Sequence, residues 1–277
     1  MIKNNKSIAL LLATYNGESY LREQLDSLYA QTNQDWSLFV RDDCSTDATC
    51  SILSEYQTRY GNIVIINNHN KNLGPQHNFM TLLKEVDSEY YMFVDDDDYW
   101  FPQKIENEIK KIKEIEEKNK PALVITNLKI TDGNLHITHE SYWKSIGFNP
   151  EYFNTFKDEV FIGYVTGCTM LFNQPTKAFA FPVADYSPMH DWWIAKCAYT
   201  HGNVGYIKEP QMFYRKYGKN VTGNYVSSQR GKSFSLRVKE MIKQYKLLKI
   251  SGCVSGFPDY LISKYKLNKK RKLINEQ

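Results

Sequence analysis

Five short runs in the first 130 residues are apolar almost without interruption: Ser7 to Ala13, Trp36 to Val40, Ile63 to Ile66, Tyr90 to Val94 and Ala122 to Ile130. A strand with one wet face alternates apolar and polar residues, whereas continuous runs of this length mark strands covered on both faces. Between the runs the apolar residues recur at helical spacing: Tyr20, Leu21, Gln24, Leu25 and Leu28, then Ile52, Leu53 and Tyr56, then Phe79, Leu82, Leu83 and Val86, and after Pro102, Ile105, Ile109 and Ile112. Ser45, Thr46 and Asp47 are the N-cap types expected before the second of these helices. Strand and helix thus alternate, which predicts an α/β domain built on a mainly parallel sheet.

In such sheets ligands bind beyond the carboxyl ends of the strands. Thr14-Tyr15-Asn16, Asp42-Asp43, Asn72 and Asp95-Asp96-Asp97-Asp98 each follow a predicted strand, so they are expected along one edge of one cleft. The four consecutive carboxylates repel one another unless a cation neutralises them, and a hard divalent ion with oxygen ligands suits the place. The plainer alternative is a solvated acidic turn. No GxGxxG or GxxxxGK[ST] follows the first strand, so a dinucleotide fold or P-loop ATPase is disfavoured. Nucleotide phosphates bound here would need a metal, and the acidic run would hold it.

The remaining sequence narrows the class. Hydrophobic residues at 42% and charged residues at 24% are ordinary for a globular protein, and 20 Tyr with 5 Trp suit sugar and base stacking as well as cores. Cys44, Cys50, Cys168, Cys197 and Cys253 are odd in number without CxxC spacing, which fits a reducing compartment rather than a disulfide or zinc framework. With no signal-like start and no apolar run long enough for a bilayer, a cytoplasmic location is expected, with the tail as a candidate contact to the inner membrane face. From Arg230 onward 13 Lys/Arg face 3 Asp/Glu, a net +10 that leaves −6 on residues 1–229 of a chain with total +4. The acidic body argues against nucleic acid as a partner. In the tail, Phe234, Val238, Met241, Ile242, Tyr245 and Leu248 recur at helical spacing among Arg237, Lys239, Lys243, Lys246 and Lys249. That basic amphipathic pattern, with Lys269-Lys270-Arg271-Lys272 after it, reads either as a helix packed on the body or as a contact with an anionic membrane surface.

The middle of the chain is less regular. Tyr142 to Phe161 is aromatic, as an acceptor-side loop or lid would be, and Phe161 to Phe172 reads as a strand pair or a strand with glycine-marked breaks. Met189-His190-Asp191-Trp192-Trp193 opens a helical segment, and Pro210 to Gly223 ends the body with Arg215, Tyr217 and Asn220.

With these pieces in order, the chain resembles the family 2 glycosyltransferases of the GT-A fold, and within them the rhamnosyltransferase-like branch of bacterial polysaccharide enzymes. The resemblance spans residues 7–225 and is carried by Ala13-Thr14-Tyr15-Asn16-Gly17, Arg41 to Asp47, Asn72-Leu73-Gly74, Asp95 to Trp100, Thr166 to Phe172, His190-Asp191-Trp192-Trp193, and Arg215 with Asn220. It implies a catalytic domain over residues 1–229, split near 130 into nucleotide-binding and acceptor-binding halves, and a basic helical tail over residues 230–277. It also implies roles. Thr14, Tyr15, Asn16, Asp42, Asp43, Asn72, Asp96 and Arg215 would surround the donor nucleotide. Asp95 and Asp97 would hold Mn²⁺ or Mg²⁺. Asp98, Trp100, Gly167, Cys168, His190 and Trp192 would border sugar and acceptor, and Asp191 would be the catalytic base. Two departures stand out: Asp96 where relatives often carry Gln, and Tyr217 where relatives often place His.

The implied activity is inverting, metal-dependent transfer of a sugar from a UDP- or dTDP-sugar to a glycan or lipid-linked oligosaccharide, in cell-surface polysaccharide assembly such as capsule or lipopolysaccharide. A nucleotidyltransferase that uses the acidic run for metal binding, and a carbohydrate-binding relative without catalysis, are the competing readings.

Overall fold

The computed structural model describes residues 1–66, 71–184, 187, 189–218 and 234–275. The strands are β1 (Ile2–Lys3), β2 (Ile8–Thr14), β3 (Trp36–Asp42), β4 (Ile63–Ile65), β5 (Val86–Asp87), β6 (Tyr90–Val94), β7 (Tyr99–Trp100), β8 (Ala122–Thr131), β9 (Ile137–His139), β10 (Met170–Asn173) and β11 (Asn203–Arg215). The helices are α1 (Leu21–Tyr29), α2 (Thr49–Arg59), α3 (Gly74–Glu85), α4 (Lys104–Ile115), α5 (Tyr142–Ser145), α6 (Phe156–Ile162), α7 (Gln174–Phe179), α8 (His190–His201), α9 (Phe234–Ile250) and α10 (Phe257–Asn275). One sheet runs in the order β4-β3-β2-β6-β10-β8-β11-β7, with β9 on the edge of β8, while β1 pairs with β5 apart from it.

The first four strands of that order are parallel to one another, as the continuous apolar runs require, and β2, β6 and most of β3 are buried throughout. The second half of the sheet is mixed. β10 enters antiparallel between β6 and β8, β11 is parallel to β8, and β7 returns antiparallel along β11. The sequence pattern alone does not reveal this, because a strand of four buried residues looks the same in either direction.

Two boundaries also differ from expectation. Phe161 and Ile162 close helix α6 instead of opening a strand, and a 3₁₀ turn over Gly167–Thr169 precedes β10. The helix is launched by a capping box: Asp158 donates its backbone N–H to the Thr155 hydroxyl at 3.2 Å, and Thr155 N–H returns to the Asp158 carboxylate at 3.1 Å. Gly163, in the left-handed region at φ 70°, ends it. Val86 likewise leaves the end of α3 to form edge strand β5.

Register sets the levels of the functional loops. Leu12 lies opposite Val94 and Thr14 opposite Asp42, so the ends of β2, β3 and β6 open at one height. Leu171 lies opposite Met92 in the antiparallel pair, so the 3₁₀ turn before β10 arrives beside the acidic run. Phe213 opposite Tyr99 carries Arg215, two residues on, to the level of Asp97.

The basic tail packs on the body. Leu248 of α9 and Tyr260 and Leu267 of α10 are buried, and Gln244 donates to the Val160 carbonyl of α6 at 3.4 Å. Arg271 donates to the Ile146 carbonyl and Lys270 to that of Tyr152. Among the described residues no helix is long and apolar enough to cross a membrane.

A buried ion pair lies in α4 at the back of the site. Lys104 and Glu108 are both fully buried one helical turn apart and bonded to each other, with Lys104 Nζ 4.6 Å from the centroid of the Trp100 ring. Burial pushes the Glu108 carboxyl up to about 7 despite the Lys104 charge. Breaking such a pair strands the surviving charge, at a cost of about 3–5 kcal/mol, whereas replacing both partners with apolar residues is often neutral. Glu108→Ala is therefore expected to lose about 3–5 kcal/mol in chemical denaturation, and Lys104→Met/Glu108→Leu to recover most of it. A single variant as stable as wild type would show that the pair contributes nothing.

Candidate active site

The cleft is built on the loops after β2, β3 and β6, the 3₁₀ turn before β10, and the first turn of α8. After β6 the chain turns sharply through Asp96 and Asp97 into the short strand β7. Each acidic residue receives different support. Asp96 Oδ2 accepts from Thr14 Oγ1 at 2.5 Å and from the Tyr15 amide at 3.3 Å. A Cβ on Gly17 would stand 2.5 Å from that same oxygen, which explains the glycine. Asp97 Oδ2 accepts from the Tyr217 hydroxyl at 2.9 Å, and its carbonyl accepts from Arg215 Nε at 2.9 Å. Asp98 is fully buried, with the Cys168 thiol and the Arg215 backbone as its polar neighbours. Asp95 is half-buried at the strand end.

Burial first, and neighbouring carboxylates second, make these groups hard to ionise together. Asp95 is pushed up to about 8 and Asp96 to about 6, and Asp98 is raised well above the carboxylate range. Asp191 adds to the repulsion on Asp95, although 96 positions separate the two in sequence. The first turn of α8 therefore faces the acidic run. Asp191 is half-buried and accepts from the Trp192 amide at 2.6 Å. Carboxylates crowded by like charges at the mouth of a cleft fit a divalent cation, and Asp95, Asp98 and Cys168 place their polar atoms within 4.8 Å of one another.

The nucleotide-side residues divide into two groups. Tyr15 presents a ring that is 53% exposed, and Asp42 is half-buried, holding the Ser45 amide at 2.8 Å. Asn16, at φ 53°, ties two loops together: its amide donates to Ser45 Oγ and its side-chain oxygen accepts from the Thr46 amide, each at 2.8 Å. Asp43, Asn72 and Arg215, expected near the donor, are each bonded to the frame. Asp43 is 3% exposed and takes the Leu73 and Gly74 amides at 2.9 and 2.8 Å and Arg41 at 3.0 Å, which anchors the start of α3. Asn72 donates to the Asp43 carbonyl at 3.0 Å. Arg215 is fully buried, donates to the Asp97 and Gly133 carbonyls and to Glu23, and lies 4.4 Å from the Tyr20 ring centroid. It braces the acidic turn from behind. Asn220 lies outside the described residues.

Gly167 and Cys168, expected to border sugar and acceptor, lie beside the acidic run, and Gly167 has no room for a Cβ, which would meet His190 Nε2 at 2.7 Å. Three further candidates pack inward. Trp100 is fully buried under Lys104, His190 is packed between Phe79 and Phe93 at 4.2 and 4.8 Å between ring centroids, and Trp192 sits edge-on to Phe156. Burial lowers the His190 pKa and keeps the imidazole neutral. These three rings set the position of their neighbours rather than offering a surface to sugar.

The structure adds Glu159, which the sequence reading passed over, and a contact for Tyr217, which that reading named only as a departure. Tyr217 reaches Asp97 directly. Glu159, 5% exposed, accepts the Tyr164 and Val165 amides at 2.9 and 3.1 Å, and Asp191 and Glu159 repel one another. The Thr155-x-x-Asp158 capping box was the available signal for Glu159, since it places that residue in a helical first turn.

The model of the family described as Glycosyl transferase family 2 matches residues 10–176. The chain belongs to this family. It is 33% identical over 228 residues to the dTDP-rhamnosyl transferase RfbG of Shigella flexneri, covering 78% of this chain and 75% of that protein. Among solved structures, S. aureus TarS 1–349 in complex with UDP-GlcNAc superposes with a TM-score of 0.61 at 20% identity, over 88% of this chain and 66% of that one. The mannosyltransferase PcManGT from Pyrobaculum calidifontis, in complex with GDP-Man and Mn2+, gives 0.59 at 14% identity, over 98% and 72%. Such likeness shows the fold, which is GT-A. Family membership makes the chain a glycosyltransferase.

Glu159 yields a test of the electrostatics. Burial lifts its carboxyl from the ordinary 4.5 to about 8, only partly countered by the two amides. Between those values the folded chain holds a proton that the unfolded chain has released, so stability falls as pH rises through the window. Glu159→Gln keeps an oxygen for both amides and cannot ionise. Its melting temperature should exceed that of wild type above about pH 8, with the gap closing near pH 4.5; parallel melting curves at all pH values would refute the burial argument.

Proposed function

We propose that this protein is an inverting glycosyltransferase that moves a sugar from a UDP- or dTDP-sugar to a glycan or lipid-linked oligosaccharide acceptor in bacterial cell-surface polysaccharide synthesis. The observation that carries the reading is the meeting of Asp191 with the acidic run: Asp191 raises the pKa of Asp95 from the far side of the cleft. A site divided in this way has a metal-holding wall for the leaving diphosphate and a separate carboxylate for the attacking hydroxyl. The rhamnosyl transferase relative supports a deoxysugar donor on dTDP, and the UDP-GlcNAc complex of the structural neighbour keeps UDP-sugars in view.

The chemistry follows from these positions. Asp191 accepts the proton of the acceptor hydroxyl as its oxygen bonds to the anomeric carbon, and the bond from that carbon to the donor phosphate breaks on the opposite side. A single displacement inverts the centre. Asp95 and Asp97 would hold Mn²⁺ or Mg²⁺, which would offset the charge developing on the nucleoside diphosphate. Thr14 and the Tyr15 amide fix Asp96 against the loop, and the exposed Tyr15 ring with Asp42 receives the nucleoside.

A panel of UDP-, GDP- and dTDP-sugars with Mn²⁺ should release nucleoside diphosphate from one donor class, and pyrophosphate release instead would favour a nucleotidyltransferase. Asp191→Asn should lower transfer to acceptor by about 10²–10⁴-fold while donor binding persists, as loss of a general base does. Full transfer by that variant would remove Asp191 from its role. Release of no product from any donor would favour the carbohydrate-binding reading.

The tail is read as the surface that meets an anionic membrane, where a lipid-linked acceptor resides. Although α9 and α10 pack on the body, Leu261, Ile262 and Tyr265 of α10 are 45%, 54% and 69% exposed, with the exposed Lys266 and Lys269 beside them. Each lysine near an anionic surface is worth about 1 kcal/mol. Lys266→Glu/Lys269→Glu should therefore weaken binding to phosphatidylglycerol vesicles by about thirtyfold at low salt. Equal binding by wild type and variant would end the membrane reading.

A further inference from the structure

Helix α10 has two faces. Tyr260, Lys264, Leu267 and Arg271 recur at helical spacing along one of them, and there Tyr260 and Leu267 are buried and Lys264 and Arg271 half-buried. Leu261, Ile262, Tyr265, Lys266 and Lys269 lie on the other, exposed face. At the end of the inner face two cations reach the body. Arg271 donates to the Ile146 carbonyl and Lys270 to that of Tyr152, with Lys270 Nζ 5.2 Å from the centroid of the Phe153 ring. Ile146 closes helix α5, where the last carbonyls have no helical partner and a cation suits them. The adjacent pair thus holds both ends of the segment 146–152.

That segment backs one wall of the cleft. Phe148 stacks on Tyr164 with ring centroids 3.8 Å apart, and the Tyr142 hydroxyl donates to the Gly163 carbonyl at 2.7 Å. Tyr164 and Val165 give their amides to Glu159, and the chain then passes through Thr166 into the Gly167–Thr169 turn beside the acidic run. The tail reaches the same wall at α6. Lys157 donates to Ser263 Oγ at 3.4 Å, and the Phe161 and Tyr260 ring centroids are 5.6 Å apart. On its inner side α6 sets Phe156 against Trp192 at 4.8 Å, next to Asp191. A single layer of packed side chains therefore lies between the tail and the residues that face the acidic run.

We propose that Lys270 and Arg271 are positioning residues of the transfer site: they clip the segment 146–152, so that the wall carrying the Gly167 turn and backing Asp191 is set before an acceptor arrives. The proposal rests on the glycosyltransferase reading, with Asp191 as the base. It gives the inner face of the tail a part in turnover, separate from any contact its outer face makes. A misplacement of about 1 Å caused far from the chemistry can cost about 10²-fold in rate. Loss of the clip acts on turnover rather than on donor binding, because Tyr15 and Asp42 stand at the ends of β2 and β3, across the sheet from the tail.

The full-length protein is assayed without lipid, with Mn²⁺ and UDP-, GDP- or dTDP-sugars, by the nucleoside diphosphate released when water serves as acceptor. Amide hydrogen exchange is followed on the same samples. Lys270→Ala/Arg271→Ala should lower kcat by about 10–100-fold while donor KM stays within about twofold, and Arg271→Lys, which keeps the cation, should retain most of the wild-type rate. Exchange at Tyr164 and Val165 should quicken by about tenfold in the double variant, with β2 and β6 as protected as in wild type. Should the double variant unfold, seen as lost protection in β2 and β6, Arg271→Gln alone carries the same comparison. Wild-type kcat, or wild-type exchange at Tyr164 and Val165, in the folded variant overturns the proposal. If wild type hydrolyses no donor, the glycosyltransferase reading fails and takes the part of the clip in turnover with it, whatever the exchange shows.

Discussion

The repulsion among carboxylates at the end of β6 is the constraint around which the rest of this protein is arranged. Four adjacent acids at a strand end, and a fifth from α8, occupy a poorly solvated cleft. In such a place like charges interact far more strongly than in water, which is why burial and neighbours together lift Asp95 to about 8 and Asp96 to about 6. The surrounding hydrogen bonds hold the turn in place. Thr14 and Tyr15 grip Asp96, Tyr217 grips Asp97, and Arg215 supports the turn through its backbone.

That arrangement separates frame from site more sharply than residue type does. Charged residues with the look of ligands prove to be structural. Arg215 is fully buried against two carbonyls, Glu23 and a tyrosine ring, and Asp43 is consumed in starting α3. Their rigidity has a functional use, since a transfer site gains from ligands that are already positioned before the donor arrives. The carboxylates read as acting on cation or substrate are fewer: Asp95, Asp97 and, across the cleft, Asp191.

Much of this was legible beforehand. The continuous apolar runs fixed the parallel half of the sheet, because a strand covered by helices on both faces has no polar face to display. The polar clusters after those runs then had to meet, because parallel strands open their carboxyl ends on the same side. Less legible were elements whose length carries no periodicity. The four residues of β10 and the helix ending at Ile162 needed their capping box and their partners to be told apart.

By itself the sequence determined the class of fold, the edge of the sheet that carries the site, and the family, since these depend on local pattern and residue order. The tertiary structure decided which residues are available to a ligand. Whether Asp43 is taken up by backbone amides, whether Arg215 faces a cleft or a core, and whether Cys168 lies beside Asp95 are matters of register and burial between segments up to about a hundred positions apart. No residue type or spacing encodes them, because a side chain's chemistry is set by what the folded chain packs around it.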